Sequence, residues 1–207
     1  MTATHTELSA TSAASHAPRQ SVVAEQEQRA FRALLDAMAR PGTIQQLPEA
    51  RVTDGVWGSA LVVMQCLLDH EVTFAVEADD RSVAEQILRR TGARTAALAD
   101  ASYVLADAAH AVAVIEGARE GELEEPEHSA TVVIVVSSVT GGTTRAALTG
   151  PGIATVMALE LDGIERSALS ALLERNAVFP SGIDTVFVDL TGRVVCVPRS
   201  TRIEQED

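Results

Sequence analysis

The chain's 207 residues suit one domain that can bury a core without disulfides, and a 46% apolar composition excludes a wholly disordered protein. A formal charge of −13, from 29 acidic and 16 basic residues, repels phosphate backbones and anionic lipid, so nucleic acid and membrane surfaces are excluded as partners. Every basic residue is Arg, so there is no amine for a pyridoxal-phosphate Schiff base and no P-loop lysine; two distant cysteines cannot hold an iron–sulfur cluster.

Residues 1–20 are Thr, Ser, Ala and His with scattered charges and read as a disordered leader; a single α/β domain is expected over 21–207. Ser21 is the expected N-cap of a first helix, with Phe31, Leu34, Leu35 and Met38 on one face and Arg40-Pro41-Gly42 as its stop. Thr43–Leu47 is extended. Leu61–Leu68, apolar on nearly every side, has the pattern of a buried helix, and Val72–Val76 that of a strand. Ser82 and Glu85 resemble a capping box opening a helix that Gly92 closes. Arg94–Leu98 and Ser102–Ala106 are weaker strands, and Asp107 caps a short helix through Val114.

The acidic stretch Gly117–His128, with Pro126, reads as a solvated loop. Ala130–Val139 is almost continuously β-branched, and a strand without alternation is buried on both faces, central in a sheet. Gly141-Gly142 turns the chain into a strand ending at Leu148, Gly150-Pro151-Gly152 breaks it again, and Val156–Leu161 adds another. Asp162 is the expected cap of a helix carrying Leu169, Leu172 and Leu173. Ile183–Leu190 and Arg193–Val197 form a hairpin across Thr191-Gly192, and the last residues are polar. The sum is a three-layer α/β/α sandwich with a mixed sheet. No apolar run reaches the roughly 20 residues of a membrane helix and no secretory signal opens the chain, so a cytoplasmic protein is expected. Cys66 and Cys196 read as reduced core thiols.

Few residues point to chemistry. Asp69-His70-Glu71 cannot wrap a metal by itself, and His70, His110 and His128 read as capping or surface groups, so no metal is expected. Gly141-Gly142-Thr143-Thr144 is either a phosphate-binding nest or a hairpin turn. Arg145, Arg175, Arg199 and Arg202 lie near Gly/Pro breaks; if several converge they form an anion pocket, and otherwise they are ion-pair partners in an acidic protein. Arg145, Arg199 and Arg202 are the candidate anion-binding residues, and no catalytic residue emerges. The residues alone thus leave open a self-sufficient enzyme or binding protein for a phosphorylated metabolite.

Four segments carry a resemblance: Phe31-Arg32-Ala33-Leu34-Leu35-Asp36-Ala37-Met38-Ala39-Arg40-Pro41-Gly42, Leu148-Thr149-Gly150-Pro151-Gly152-Ile153, Phe179-Pro180-Ser181-Gly182-Ile183-Asp184 and Val197-Pro198-Arg199-Ser200-Thr201. In this order and spacing, over roughly Val23 to Glu204, the chain resembles the PhnH subunit of the carbon–phosphorus lyase system. The resemblance implies a homodimer with a fold similar to pyridoxal-phosphate-dependent transferases but without that cofactor; no cofactor is expected. It implies a core complex with the PhnG, PhnI and PhnJ subunits, which transfers an alkylphosphonate onto the ribose of ATP with displacement of adenine. The nucleosidase and radical chemistry belong to PhnI and PhnJ. This chain is then a structural or ligand-binding component.

Overall fold

The computed structural model describes residues 19–49 and 52–205. The expected leader lies outside these residues except for Arg19 and Gln20, which already belong to helix α1 (Arg19–Ala39), so the helix begins ahead of the Ser21 cap. Its apolar period is as expected but its face is not. Ala30, Ala33, Leu34 and Ala37 form the buried stripe, while Phe31 and Leu35 remain 46% and 52% exposed. The bulky residues indicate the wrong face because close approach of a helix to a sheet favours small side chains. At the stop, Arg40 N still donates to Asp36 O at 3.1 Å, and Gly42 takes a φ of 81° that a Cβ would resist.

The principal sheet has seven strands. Parallel strands β2 (Thr73–Glu77), β3 (Arg94–Thr95), β4 (Tyr103–Asp107), β5 (Thr131–Val136) and β8 (Asp184–Asp189) are joined by β9 (Arg193–Val197), antiparallel to them, and by the short β1 (Gln45–Gln46), antiparallel to β9, in the order β1-β9-β8-β5-β4-β2-β3. β5 sits at the centre as expected, paired to β4 and β8. Its Val132, Ile134 and Val136 enter one core and Val133 the other, the period-2 alternation of a strand covered on both faces. On the Val133 face lie α1, α2 (Gly58–Leu67) and α3 (Ser82–Thr91); on the opposite face lie α4 (Ala111–Gly117) and α5 (Arg166–Arg175). That second face also carries a three-stranded antiparallel sheet, β10 (Arg202–Gln205), β6 (Thr144–Thr149) and β7 (Met157–Leu161), in that order.

The small sheet corrects three expectations. The strand after Gly141-Gly142 does not fold back on β5; it leaves the principal sheet to pair with β7 and β10. The final residues are a strand, with Ile203 buried, and not a polar tail. Asp162 does not cap α5, whose N-cap is Glu165; it bridges Ser138 between the two sheets. Likewise Ser82 is not a cap: its backbone N–H donates to Asp80 Oδ1 at 2.9 Å, so Asp80 closes the first turn of α3. Both helices keep their expected span because the apolar positions, not the cap, decide their burial.

Around α2 and α3 the strongest polar contact is Arg90 with Asp54, at 3.0 Å (Nη1–Oδ2) and 2.5 Å (Nη2–Oδ1). Asp54 is buried and the Arg90 side chain is 18% exposed. Asp54→Ala is expected to lower the unfolding free energy by about 2 kcal/mol, since it takes the bidentate carboxylate from Arg90 and leaves its guanidinium with Gln65 and Gln86, at 3.3 and 3.4 Å; urea denaturation measures the loss.

Helix α3 follows β2 on one face and α4 follows β4 on the other, so the strand order reverses between β2 and β4. Ligands of open α/β sheets commonly enter at such a point, beyond the strand C-termini. Here that position is acidic. His110 pairs with Asp107 at 2.7 Å, and its pKa is raised by that hydrogen bond, with Asp107, Asp79 and Glu77 adding to the rise.

Candidate functional site

At the opposite end of the sheet, where β8 starts and β9 finishes, a cleft of about 710 Å³ opens. Pro198 ends β9, and a turn closed by Thr201 N donating to Pro198 O at 2.9 Å leads into β10. Pairing of Arg202 with Thr149 then sets Ser200, Thr201 and Arg202 opposite Gly150 and Pro151. Gly150, at φ 131°, comes so near the Ser200 carbonyl that a Cβ would stand 3.0 Å from it. Gly152 packs on the end of α1, where a Cβ would sit 2.2 Å from the Ala39 carbonyl oxygen. The third wall is the end of α5, with Leu173, Asn176 and Ala177, and beyond it Phe179. Asn176 secures that wall: its Oδ1 accepts from Ile183 N at 2.9 Å and its Nδ2 donates to Ile183 O at 3.1 Å. The Phe179–Pro180 bond is cis.

The four segments that carried the resemblance, far apart in sequence, therefore meet: three line the cleft and the Arg40-Pro41-Gly42 stop lies behind the Gly150–Gly152 loop. The arginines fare differently. Arg199 and Arg202 both line the cleft. Arg199 is committed, its guanidinium 3.3 Å from Asp184 Oδ2 and bonded to the Pro126 carbonyl, its backbone N–H donating to Asp184 Oδ1 at 2.9 Å. Arg202 is exposed, and no partner for its guanidinium exists among the described residues. Arg145 stands at the other end of β6, where its Nε donates to Gly142 O at 3.2 Å and lies 3.7 Å from Glu160 Oε1, so it does not converge with them. Arg175 is held by the Ala118 carbonyl and, at 3.3 Å, by Glu120, which fixes part of the acidic loop expected to be solvated.

Sequence reasoning missed Thr201. Its residue is 3% exposed and its hydroxyl has no partner, as is true of Thr185 and Ser129 and of the Nε atoms of Arg119 and Arg175. All five lie at this end of the sheet, linked through Ala130 N to Arg119 O, Asp184 N to Ala130 O, and Arg175 to Ala118. Only the tertiary packing reveals such groups, because their hydroxyls are ordinary in sequence.

The other candidates lie elsewhere. Gly141 N donates to Glu160 Oε2 at 3.0 Å, so that amide already holds an anion of the chain itself, and Gly142 is pressed against the Leu161 backbone. His128 pairs with Glu125 at 3.0 Å. Burial, with Glu27 nearby, pushes the Cys66 thiol up to about 11, and burial pushes Cys196 further up, so neither is a thiolate at neutral pH. No group of three metal-ligating side chains occurs among the described residues, and no helix there is long and apolar enough to cross a membrane.

Fold and cleft define a class: a two-sheet α/β protein whose candidate site is an arginine-edged cleft. Comparison narrows it. Residues 19–204 match the family described as bacterial phosphonate metabolism protein (PhnH). The chain is 36% identical over 181 residues (87% of each chain) to the putative C-P lyase subunit protein HtxG of Stutzerimonas stutzeri. It is 32% identical over 185 residues to the alpha-D-ribose 1-methylphosphonate 5-triphosphate synthase subunit PhnH of Rhizobium meliloti (strain 1021), covering 86% of this chain and 90% of that one. The chain belongs to the PhnH family, part of the carbon–phosphorus lyase system for phosphonates.

Proposed function

We propose that the chain is a non-catalytic, ligand-binding or structural subunit of a carbon–phosphorus lyase core complex, assembled with PhnG, PhnI and PhnJ. In that role it supports transfer of an alkylphosphonate onto the ribose of ATP as adenine leaves. The carrying observation is the convergence of the family's segments on one cleft whose polar lining is Arg, Ser, Thr and Asn, groups that hold a ligand without reacting with it. The Rhizobium relative, named as a synthase subunit for a ribose methylphosphonate triphosphate, supports the reaction assigned to the assembly. The test is co-expression of PhnG, PhnI and PhnJ with and without this chain, offered ATP and methylphosphonate. Assembly and adenine release are expected to fall when the chain is omitted; full assembly and rate without it overturn the proposal, as does rapid adenine release by the chain alone.

Three further features belong to this reading. The chain is a homodimer, which the apolar Phe31 and Leu35 surface of α1 favours, and light scattering is expected to give about twice 21.8 kDa. Its fold is related to that of pyridoxal-phosphate-dependent transferases, a relation that the mixed sheet covered on both faces supports. It works in the cytoplasm without a bound cofactor. Arg199 and Arg202 remain as anion-binding candidates; Arg145 has the geometry of an ion-pair partner.

A further inference from the structure

We infer that the cleft binds an organic phosphate or phosphonate, with the anionic head between the Arg202 guanidinium and the Ser200 hydroxyl and the organic body along Leu173, Pro151 and Phe179. This deepens the binding role proposed above and rests on it, naming the ligand class of the same site.

The donors come first. Arg202 carries a guanidinium without a partner among the described residues, in a chain that has 29 acidic residues against 16 basic ones. Ser200, on the turn just before it, adds a hydroxyl with no partner among the described residues. A carboxylate presents two coplanar oxygens, whereas the Arg202 fork and the Ser200 hydroxyl together suit the three terminal oxygens of a tetrahedral head, the fork taking two of them and the hydroxyl the third.

The remaining walls set the body. A cleft of about 710 Å³ is far larger than a lone inorganic ion, and it falls in the range of small-molecule sites. Leu173 is 39% and Phe179 66% exposed on its border, apolar surface that an organic group would cover. Arg199 is a positioning residue: Asp184 neutralises it, and its backbone and side-chain bonds to that carboxylate fix the turn that presents the donors.

The experiment is calorimetric titration and thermal shift of the full chain with inorganic phosphate, methylphosphonate, ribose 5-phosphate and ATP. A saturable rise in midpoint of roughly 9 °C is expected at a hundredfold excess over Kd, with ribose 5-phosphate or ATP binding more tightly than inorganic phosphate. Arg202→Gln is expected to weaken that binding by about tenfold or more. Ser200→Ala removes a half-buried hydroxyl, so it should leave the ligand-free midpoint nearly unchanged while weakening the ligand severalfold, a combination a purely structural serine would not give. No saturable response to any probe overturns the inference. So do unchanged affinities in both variants, or inorganic phosphate binding as tightly as the organic ligands. Failure here with the complex still dependent on the chain sinks the ligand class alone; independence of the complex from the chain sinks the role.

Discussion

Replacing Asp189 by Ala is expected to lower the unfolding free energy by about 3 kcal/mol, a fall in midpoint of roughly 10 °C for a chain of this size. Asp189 is fully buried at the end of β8, and its carboxylate accepts from Thr191 N and Oγ1, at 2.9 and 2.7 Å, and from Arg193 N and Nε, at 3.1 and 2.7 Å. Arg193 carries the network on to Thr140 Oγ1 at 2.9 Å and Ser138 Oγ at 3.1 Å, binding the β8–β9 hairpin to the crossing between the two sheets. Removal of the carboxylate strands these donors. The loss stays at the lower end for a buried pair because Arg193, one third exposed, can turn to solvent. Burial alone would raise the Asp189 pKa, but the hydrogen bonds from Thr191 and Arg193 more than offset it and the net shift is downward. A lowered folded-state pKa stabilises the protein above the unfolded value of about 3.9 and ceases to do so as pH falls through the folded one. Urea midpoints of wild type and Asp189→Ala are therefore expected to differ fully at pH 7 and to approach each other below about pH 4; a gap that stays constant to pH 2 contradicts the assignment.

Gly152→Ala is expected to cost a similar amount, about 3 kcal/mol, from two sources. Gly152 sits at φ 81°, where any Cβ is strained, and the added carbon would stand 2.2 Å from the Ala39 carbonyl oxygen and 3.0 Å from the Pro41 ring. Both obstacles belong to the helix stop, whose atoms cannot swing aside as a flexible side chain would. Relief requires the Gly150–Gly152 loop to lift, which parts Gly150 from Ser200 and opens the cleft. Guanidinium denaturation reads the first effect and ligand titration the second. Gly141→Ala, at a φ of 67° with nothing within 4 Å of the added carbon, serves as the control: it carries the backbone strain without the collision.

The principal sheet was legible because its signal is chemical and local: the β-branched run through Thr131–Val136 declares a strand covered on both faces, and Thr191-Gly192 declares the hairpin beside it. The small sheet was not. β10 offers a single buried apolar residue, Ile203, between the exposed Arg202 and Glu204, too short an alternation to distinguish from a polar tail, and its partner β6 lies some fifty residues earlier. The site was half legible. The glycine-proline segments marked where backbones approach, but nothing in their spacing says that Arg202 comes to the cleft while Arg145 lies at the far end of the same sheet. Nor does spacing show that Asp184 has already claimed Arg199, or that the Thr201 hydroxyl is left without company. Those facts exist only once distant pieces of chain are brought together.

Strand β10 takes its strand pairing from the small sheet alone, yet Ile203 is buried in the core shared with β5 and β8, and Gln205 Nε2 donates to Arg166 O at 3.3 Å and to Ser170 Oγ at 2.9 Å on α5. Proposed binding surface and scaffold are thus physically joined. Trimming the protein after Ser200 would take Arg202 from the proposed site and Ile203 from the core in one cut, so lost binding and lost stability are expected to arrive together.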